Sequence, residues 1–282
     1  MSRTYRFLIV DVFTDAPLAG NQLGVFTDAR GLSDDRMQAL ARELGFSECT
    51  FVLPAESGGD VRMRIFTPAR ELPFAGHPTL GTAFALAGPL QSSLLRIETG
   101  RGIVPVALER EGAKLVFGRM EQPLPTIGLF ERRADLLAAL GVSDSLLPVG
   151  LYDNGTPHVY VMLGSESEVA AVAPDFTQLG ALVGPLGVSC FAQSGSRVKT
   201  RMFAPELGVF EDPATGSAAG PLALHLARHG RIAWGEEIVI SQGAEIGRPS
   251  TLYATAEGSA DGVTRVEVGG SAVVVARGEF SV

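Results

Sequence analysis

The chain repeats itself. "VRMRIFTP" at 61–68 returns as "VKTRMFAP" at 198–205, an offset of 137 residues. Just beyond, "AGHPTLGTAFALA" (75–87) is answered by "TGSAAGPLALHLA" (215–227). Gly76 falls opposite Gly216, Ala83 opposite Ala223, Leu86 opposite Leu226 and Ala87 opposite Ala227, an offset of 140. The second copy therefore carries three extra residues in its loop. Each copy reads strand, Pro turn, acidic residue, Gly-containing turn, apolar helix. The shared Arg-hydrophobe-Phe-x-Pro lead-in makes chance likeness between two small-residue helices a poor account of the match.

An apolar helix with no clear polar face is buried all round. The runs around these two helices are β-branched and partly alternating, as strands are: "RFLIVDVF", "CTFVLP", "VRMRIF", "HVYVML", "EEIVIS", "VTRVEV" and "AVVVARGEF". The expected fold is α+β, with two pseudo-symmetric lobes, each a curved barrel-like sheet around a central helix. Two further helices have clear ends. "SDDRMQALAREL" starts at Ser33 as N-cap and stops at Gly45, and "FERRADLLAAL" stops at Gly141. The Pro-rich, aperiodic "EQPLPTIG" (121–128) marks the boundary. It divides the chain into an N-terminal lobe, 1–122, and a C-terminal lobe, 123–282, whose last strand is free to return to the first lobe.

Composition narrows the class of function. A chain of 282 residues, 46% hydrophobic and 19% charged, can bury a sizeable core and leave a cleft between lobes. A net charge of −8 without a Lys/Arg run excludes nucleic acid as a partner and disfavours anionic membranes. "MSRTYRFLIVDVF" reads as a first strand rather than a signal peptide, and no apolar run spans a bilayer, so a cytoplasmic protein is expected. The two cysteines, Cys49 and Cys190, make no disulfide framework and no CxxC. His225 and His229 have metal-binding spacing on a helix but lack a nearby carboxylate ligand, so no metal is expected. There is no GxxxxGK[ST], no GxGxxG after a first strand and no GxSxG elbow, hence no expected cofactor.

Chemistry concentrates at the two helix starts, Gly76-His77 and Gly216-Ser217. A helix N-terminus presents unpaired N–H groups and partial positive charge, and two facing one cleft would hold a carboxylate or phosphate. Ser217 serves equally well as a simple cap. Glu211 and Asp212 precede the second turn, where an acid ordinarily does no more than stabilise the helix dipole. His77, inside a Gly-His-Pro turn, has little structural work and reads as functional. Glu48 opens a strand with Glu48, Thr50 and Val52 on one face and Cys49, Phe51 and Leu53 on the other. Glu48 is then either a solvated strand end or a partly desolvated acid tuned toward proton transfer. Cys49 has no helix end or histidine beside it and reads as a buried structural thiol.

Five stretches carry a resemblance: "DVFTDAPLAGNQLGVF" (11–26), "SECTFVL" (47–53), "RIFTPARELPFAGHPTLGTA" (64–83), "RMFAPELGVFEDPATGSAAGPLALHLARH" (201–229) and "QGAEIGRPS" (242–250). In order and spacing they resemble the PhzF-type isomerases of phenazine biosynthesis, within the diaminopimelate-epimerase-like superfamily. The resemblance implies a small carboxylate substrate, trans-2,3-dihydro-3-hydroxyanthranilate, and cofactor-free proton movement from C3 to C1 to give an enol that becomes a ketone. It implies a homodimer. Glu48 matches the general acid/base. His77 and Asp212 match residues that hold the substrate's amino and hydroxyl groups and assist proton handling. Gly76, Gly216 and Ser217 match the carboxylate-holding turns.

The sequence departs from the family pattern at Gln22, where the loop usually reads Gly-Asn-Pro, and at Cys49, where a small Ser is common. Three other readings compete. A two-cysteine amino-acid epimerase is opposed by Ala75 and Ala214, which stand where its cysteines would be. An isomerase of another small carboxylate and a non-catalytic carboxylate binder are the remaining two.

Overall fold

The repeated segments fold into the same strand order twice. A computed structural model describes residues 3–282, so Met1 and Ser2 of the expected first strand lie outside the described residues. The described chain up to Glu121, with Gly269–Val282, forms one unit; Gln122–Val268 forms the other.

In the first unit, β1 (Thr4–Val12) pairs antiparallel with β2 (Asn21–Phe26). After α1 (Asp34–Leu44) comes β3 (Glu48–Leu53), parallel to β2 and antiparallel to β4 (Val61–Phe66). The short β5 (Glu71–Leu72) folds back on β4, and α2 (Gly76–Leu90) follows. The chain then re-enters the sheet through β6 (Leu94–Thr99), parallel to β4, and closes with β7 (Gly102–Glu111) and β8 (Lys114–Glu121). The sheet wraps α2, which touches β1, β2, β3, β6, β7 and β8.

The second unit opens with β9 (Thr126–Leu129), α3 (Arg133–Leu140), β10 (Gly150–Asp153) and β11 (Pro157–Met162). Two short helices follow, α4 (Glu166–Ala171) and α5 (Phe176–Val183). Then β12 (Gly187–Ser194) runs parallel to β11, β13 (Arg197–Ala204) antiparallel to β12, and β14 (Val209–Asp212) back on β13. Next come α6 (Gly216–Arg228), β15 (Ile238–Gln242) parallel to β13, β16 (Ser250–Ser259) antiparallel to β15, and β17 (Gly262–Gly270). Strand for strand, β11-β12-β13-β15-β16 repeats β2-β3-β4-β6-β7. The three extra residues lie in the turn between β13 and β14, which forms a short 3-10 helix, Pro205–Leu207. The last strand, β18 (Ala272–Ser281), belongs to the first unit, paired antiparallel with β1.

Local signals set the helix ends. The Ser33 hydroxyl accepts from the Arg36 N–H, and Gly45 ends α1 at φ 67° with its N–H on the Ala41 carbonyl. Gly141 ends α3 in the same left-handed conformation. Helices α4 and α5 are not expected from the sequence; at 6 and 8 residues they show too little periodicity to read. Residues 216–227 of α6 are all buried, as a helix without a polar face must be. No helix among the described residues is long and apolar enough to cross a membrane.

The Arg-hydrophobe-Phe lead-in is one ion-pair device used twice. Arg64 grips Glu71 with two hydrogen bonds of 2.7 Å and lies 5.1 Å over the Phe66 ring. Arg201 grips Glu211 at 2.9 and 2.7 Å and lies 5.0 Å over Phe203. Each pair ties β4 or β13 to the strand that leads into the central helix. Arg201 also donates to the Ala170 and Val172 carbonyls at 3.1 and 2.6 Å, closing the end of α4. Glu211 is thus held in structure, and of the two acids before α6 only Asp212 remains for chemistry.

Two consequences are measurable. Glu211 leaves only 9% of its side chain exposed, against 41% for Glu71. Glu211→Gln strands a buried guanidinium and is expected to cost about 3 kcal/mol, whereas Glu71→Gln costs about 1 kcal/mol or less. Urea denaturation of both variants checks this. Burial also pushes His158 and His225 down to about 3, so both rings stay neutral in the folded unit. Below the unfolded value near 6.5 the unfolded chain takes up protons that the folded chain refuses. Stability is therefore full above about pH 7 and falls with pH down to about 3, by about 1.4 kcal/mol per pH unit for each ring. Urea midpoints across pH should show that slope, shallower by one proton in His225→Gln.

Candidate active site

Helix α2 begins without a cap. Its N-cap, Ala75, is extended (φ −152°, ψ 142°) and offers no side-chain hydrogen bond, and no acid stands in the first turn. The Gly76 and His77 N–H groups are therefore positioned for a ligand anion. Beside them lies the start of β3. The Glu48, Thr50, Val52 face of that strand looks inward to the central helix, for the Thr50 hydroxyl meets that of Thr82 at 2.8 Å. Cys49 and Phe51 look the other way, into the core beneath α1. Both faces are covered, and Glu48 closes the inner one. Its side chain is 15% exposed, so Glu48 is not a solvated strand end.

Glu48 Oε2 lies 3.5 Å from His77 Nδ1. Burial pushes His77 down to about 3, against a smaller upward pull from a hydrogen bond to the Gln22 backbone. The ring is neutral, and its contact with Glu48 is that of a carboxylate with a dipole rather than an ion pair. Asn21 Nδ2 stands 3.3 Å from the same Nδ1, and Asn21 Oδ1 accepts from the Ser47 hydroxyl at 3.3 Å. His77 Nε2, also buried, has no hydrogen-bond partner among the described residues. An orphaned buried polar atom beside a desolvated acid and an open helix start marks a ligand site. Cys49 is fully buried, its thiol pushed up to about 12 by burial and then by the Glu48 charge, which leaves no thiolate for catalysis.

In the second unit the equivalent turn is built from Asp212, Thr215 and Gln242. The Thr215 hydroxyl donates to Asp212 Oδ2 at 2.6 Å. Gln242 Nε2 donates to the Asp212 carbonyl at 2.8 Å and to Thr215 Oγ1 at 2.9 Å, while its Oε1 accepts the Thr215 N–H at 3.2 Å. Gly243 makes room for this turn: at φ 78°, a Cβ there would come within 2.5 Å of the Pro213 carbonyl. Asp212, only 5% exposed, is held at the mouth of α6. Thr215 is the N-cap, but its side chain makes no cap hydrogen bond, so this helix too starts open.

Two expectations are corrected. Ser217 is not a cap; it lies inside the first turn with its hydroxyl 2.9 Å from His158 Nε2, because Thr215 already holds the cap position. The residue matching Ala75 is Thr215, not Ala214, since these two are the N-caps. Neither is a cysteine, so the argument against a two-cysteine epimerase stands.

Glu48, Gly76 and His77 lie together in the first unit, and Asp212, Gly216 and Ser217 in the second. Sequence reasoning passed over Asn21, Gln122, Asn154, His158 and Gln242, all buried polar residues at the two helix starts. "NGTPH" (154–158), an Asn-Gly turn followed by a histidine on a strand, was the signal for two of them. No cluster of three or more His, Cys, Asp or Glu side chains suited to a metal occurs among the described residues. His225, from the expected i, i+4 pair, is packed against Tyr152, Tyr160 and Phe191.

Known proteins are similar to this chain over nearly its whole length. A trans-2,3-dihydro-3-hydroxyanthranilate isomerase from Pseudomonas aeruginosa is 51% identical over 274 residues, 97% of this chain and 98% of that protein. The crystal structure of a Bacillus anthracis phenazine biosynthesis protein of the PhzF family superposes with a TM-score of 0.85 at 27% identity, covering 99% of this chain and 100% of that one. A hydroxyproline epimerase from Agrobacterium vitis shares the fold at a TM-score of 0.72 and 13% identity, over 99% of this chain and 91% of that one. The model of the PhzC-PhzF family, phenazine biosynthesis-like proteins, matches residues 10–278, and the chain belongs to that family.

Proposed function

We propose that this chain is an isomerase that converts trans-2,3-dihydro-3-hydroxyanthranilate to its ketone tautomer, with Glu48 as the proton-transfer group. The observation that carries the assignment of Glu48 is its setting: a carboxylate largely out of water, 3.5 Å from a neutral, buried imidazole, beside an uncapped helix start. The identity of 51% to a protein of that activity supports the substrate.

In this reading Gly76, at the start of α2, and Gly216 and Ser217, at the start of α6, are substrate-binding positions, the last two for the carboxylate. Glu48 takes the C3 proton and returns it to C1 on the same ring face. Electron density shifts through the diene as C3–H breaks and C1–H forms, and the resulting enol tautomerises to the ketone. His77 stays neutral and polar. It holds a substrate amino or hydroxyl group through Nε2 without competing for the proton. A proton shift of this kind needs no redox partner, and a Glu48 side chain only 15% exposed is weakly solvated.

Proton NMR of the purified protein with the substrate, without added cofactor or metal, tests the assignment directly. Loss of the C3 proton signal with ketone formation is expected, and an unchanged spectrum with folded protein would end it. Glu48→Gln should lower kcat by about 10²–10⁴-fold while substrate still binds; turnover within a few-fold of the parent would remove Glu48 as the base. Because His77 titrates near 3, its protonation contributes no limb to the rate profile between about pH 5 and 8. His77→Gln should therefore lower the rate and leave the position of any acidic limb where it was, which kcat/KM across pH will show.

A further inference from the structure

One hairpin grips Ser217 twice. The β10–β11 turn, "DNGTPH" (153–158), brings Asn154 and His158 to the first turn of α6. Pro221 has no N–H, so the Ser217 carbonyl lacks its usual donor four residues on. Asn154 Nδ2 replaces that donor at 2.9 Å. The neighbouring carbonyls are held in the same way, Gly216 by Gln122 Nε2 at 2.8 Å and Ala218 by the Tyr160 hydroxyl at 2.8 Å. The start of α6 is thus fixed by side chains, and at Ser217 by one that stands in for a missing rung of the helix's own ladder.

His158 fixes the hydroxyl. Its Nε2 stands 2.9 Å from Ser217 Oγ, and the ring is 1% exposed. Nδ1 has no hydrogen-bond partner among the described residues. It abuts Gly187, the cross-strand partner of His158, where a Cβ would come within 2.4 Å of Nδ1. Burial keeps the ring neutral, so only one nitrogen carries hydrogen. A hydrogen on Nδ1 would be a buried donor with nothing to receive it. A hydrogen on Nε2 donates to Ser217 and leaves only a lone pair unmatched, the lesser fault in a protein interior.

We propose that His158 is a positioning residue: its Nε2–H donates to Ser217 Oγ and so commits the Ser217 hydroxyl hydrogen to a carboxylate oxygen at the Gly216–Ser217 helix start. The assignment rests on the reading of Ser217 as a carboxylate-binding residue. Without His158 the hydroxyl can turn and present either its hydrogen or a lone pair; with it, only the hydrogen faces the ligand.

The internal repeat explains why the two copies differ here. His158 and Gly187 form the first pair between β11 and β12, as Leu23 and Glu48 do between β2 and β3. Gly187 thus holds in the second copy the place of Glu48 in the first, 139 residues on, beside the 140 that separate His77 from Ser217. Where the first copy has a carboxylate against the residue after the helix glycine, the second has bare backbone, and an imidazole from the adjoining strand fills the space. One copy has the proton-transfer group and the other a device for orienting a donor.

Long-range ¹H–¹⁵N spectra of the ¹⁵N-labelled, ligand-free protein at pH 7 read the tautomer directly, with His158 identified by the signal lost in His158→Gln. The Nε2–H form is expected; the Nδ1–H form overturns the proposal. Kinetics give the second arm. His158→Leu should raise KM about tenfold and change kcat less than about threefold, a loss of binding alone. His158→Gln, whose amide can donate in place of Nε2–H, should restore KM to within about threefold of the parent. Ser217→Ala should raise KM about tenfold, and His158→Leu should add little to it. An unchanged KM in His158→Leu, or independent losses in the double variant, overturns the role of His158. An unchanged KM in Ser217→Ala instead removes the reading of Ser217 beneath it, and wild-type protein without turnover removes the proposed reaction; the tautomer is read separately from both. If His158→Leu does not fold, the wild-type spectrum decides.

Discussion

An α-helix enclosed by a sheet must still find partners for the N–H groups of its first turn, and this fold is arranged around leaving them open. Helices α2 and α6 both begin at residues whose side chains make no cap hydrogen bond. Buried helix ends without partners are costly, so the opening must serve a ligand or be filled. Buried polar side chains gather near residues 76–77 and 216–217. Asn21 and Glu48 line the first opening, and Asp212, Thr215 and Gln242 brace the second.

The same fold unit, made twice, has been turned to different ends. The shared parts are structural. They are the Arg–Glu clamp stacked on a phenylalanine, the glycine at the helix start, and the small residues that let strands pack closely on the helix. The divergent parts are chemical. At the position after the glycine stands a histidine in one copy and a serine in the other. At the start of the matching strand stands Glu48 in one and Gly187 in the other. Duplication supplies two uncapped helix starts, and a few substitutions leave a carboxylate beside one and bare backbone at the matching place beside the other.

Neutral buried imidazoles recur through this arrangement. His77, His158 and His225 are all pushed down to about 3, each chiefly by burial. A neutral His77 is no cationic partner for the Glu48 carboxylate, whereas an imidazolium would stabilise its charged form. The polar atoms of these rings provide direction without charge.

The duplication, the two apolar central helices and the open helix starts were legible in the residue order, because each depends on local spacing, on the glycines at the turns and on the absence of a polar face. Cys49 as a buried thiol was legible too, because strand alternation puts it on the face of Phe51. The burial of Glu48 was not, because a strand end looks alike whether it meets solvent or a helix. The confinement of Glu211 was not, since its clamp reaches ten residues back to Arg201. The grip of Asn154 and His158 on Ser217 spans about sixty residues of chain, and no periodicity records it. Sequence set which residues could do chemistry, through their types and their local turns. Tertiary structure decided which of them are deprived of water and which polar atoms stay unpaired, because desolvation and hydrogen-bond partnership depend on groups brought together from distant parts of the chain.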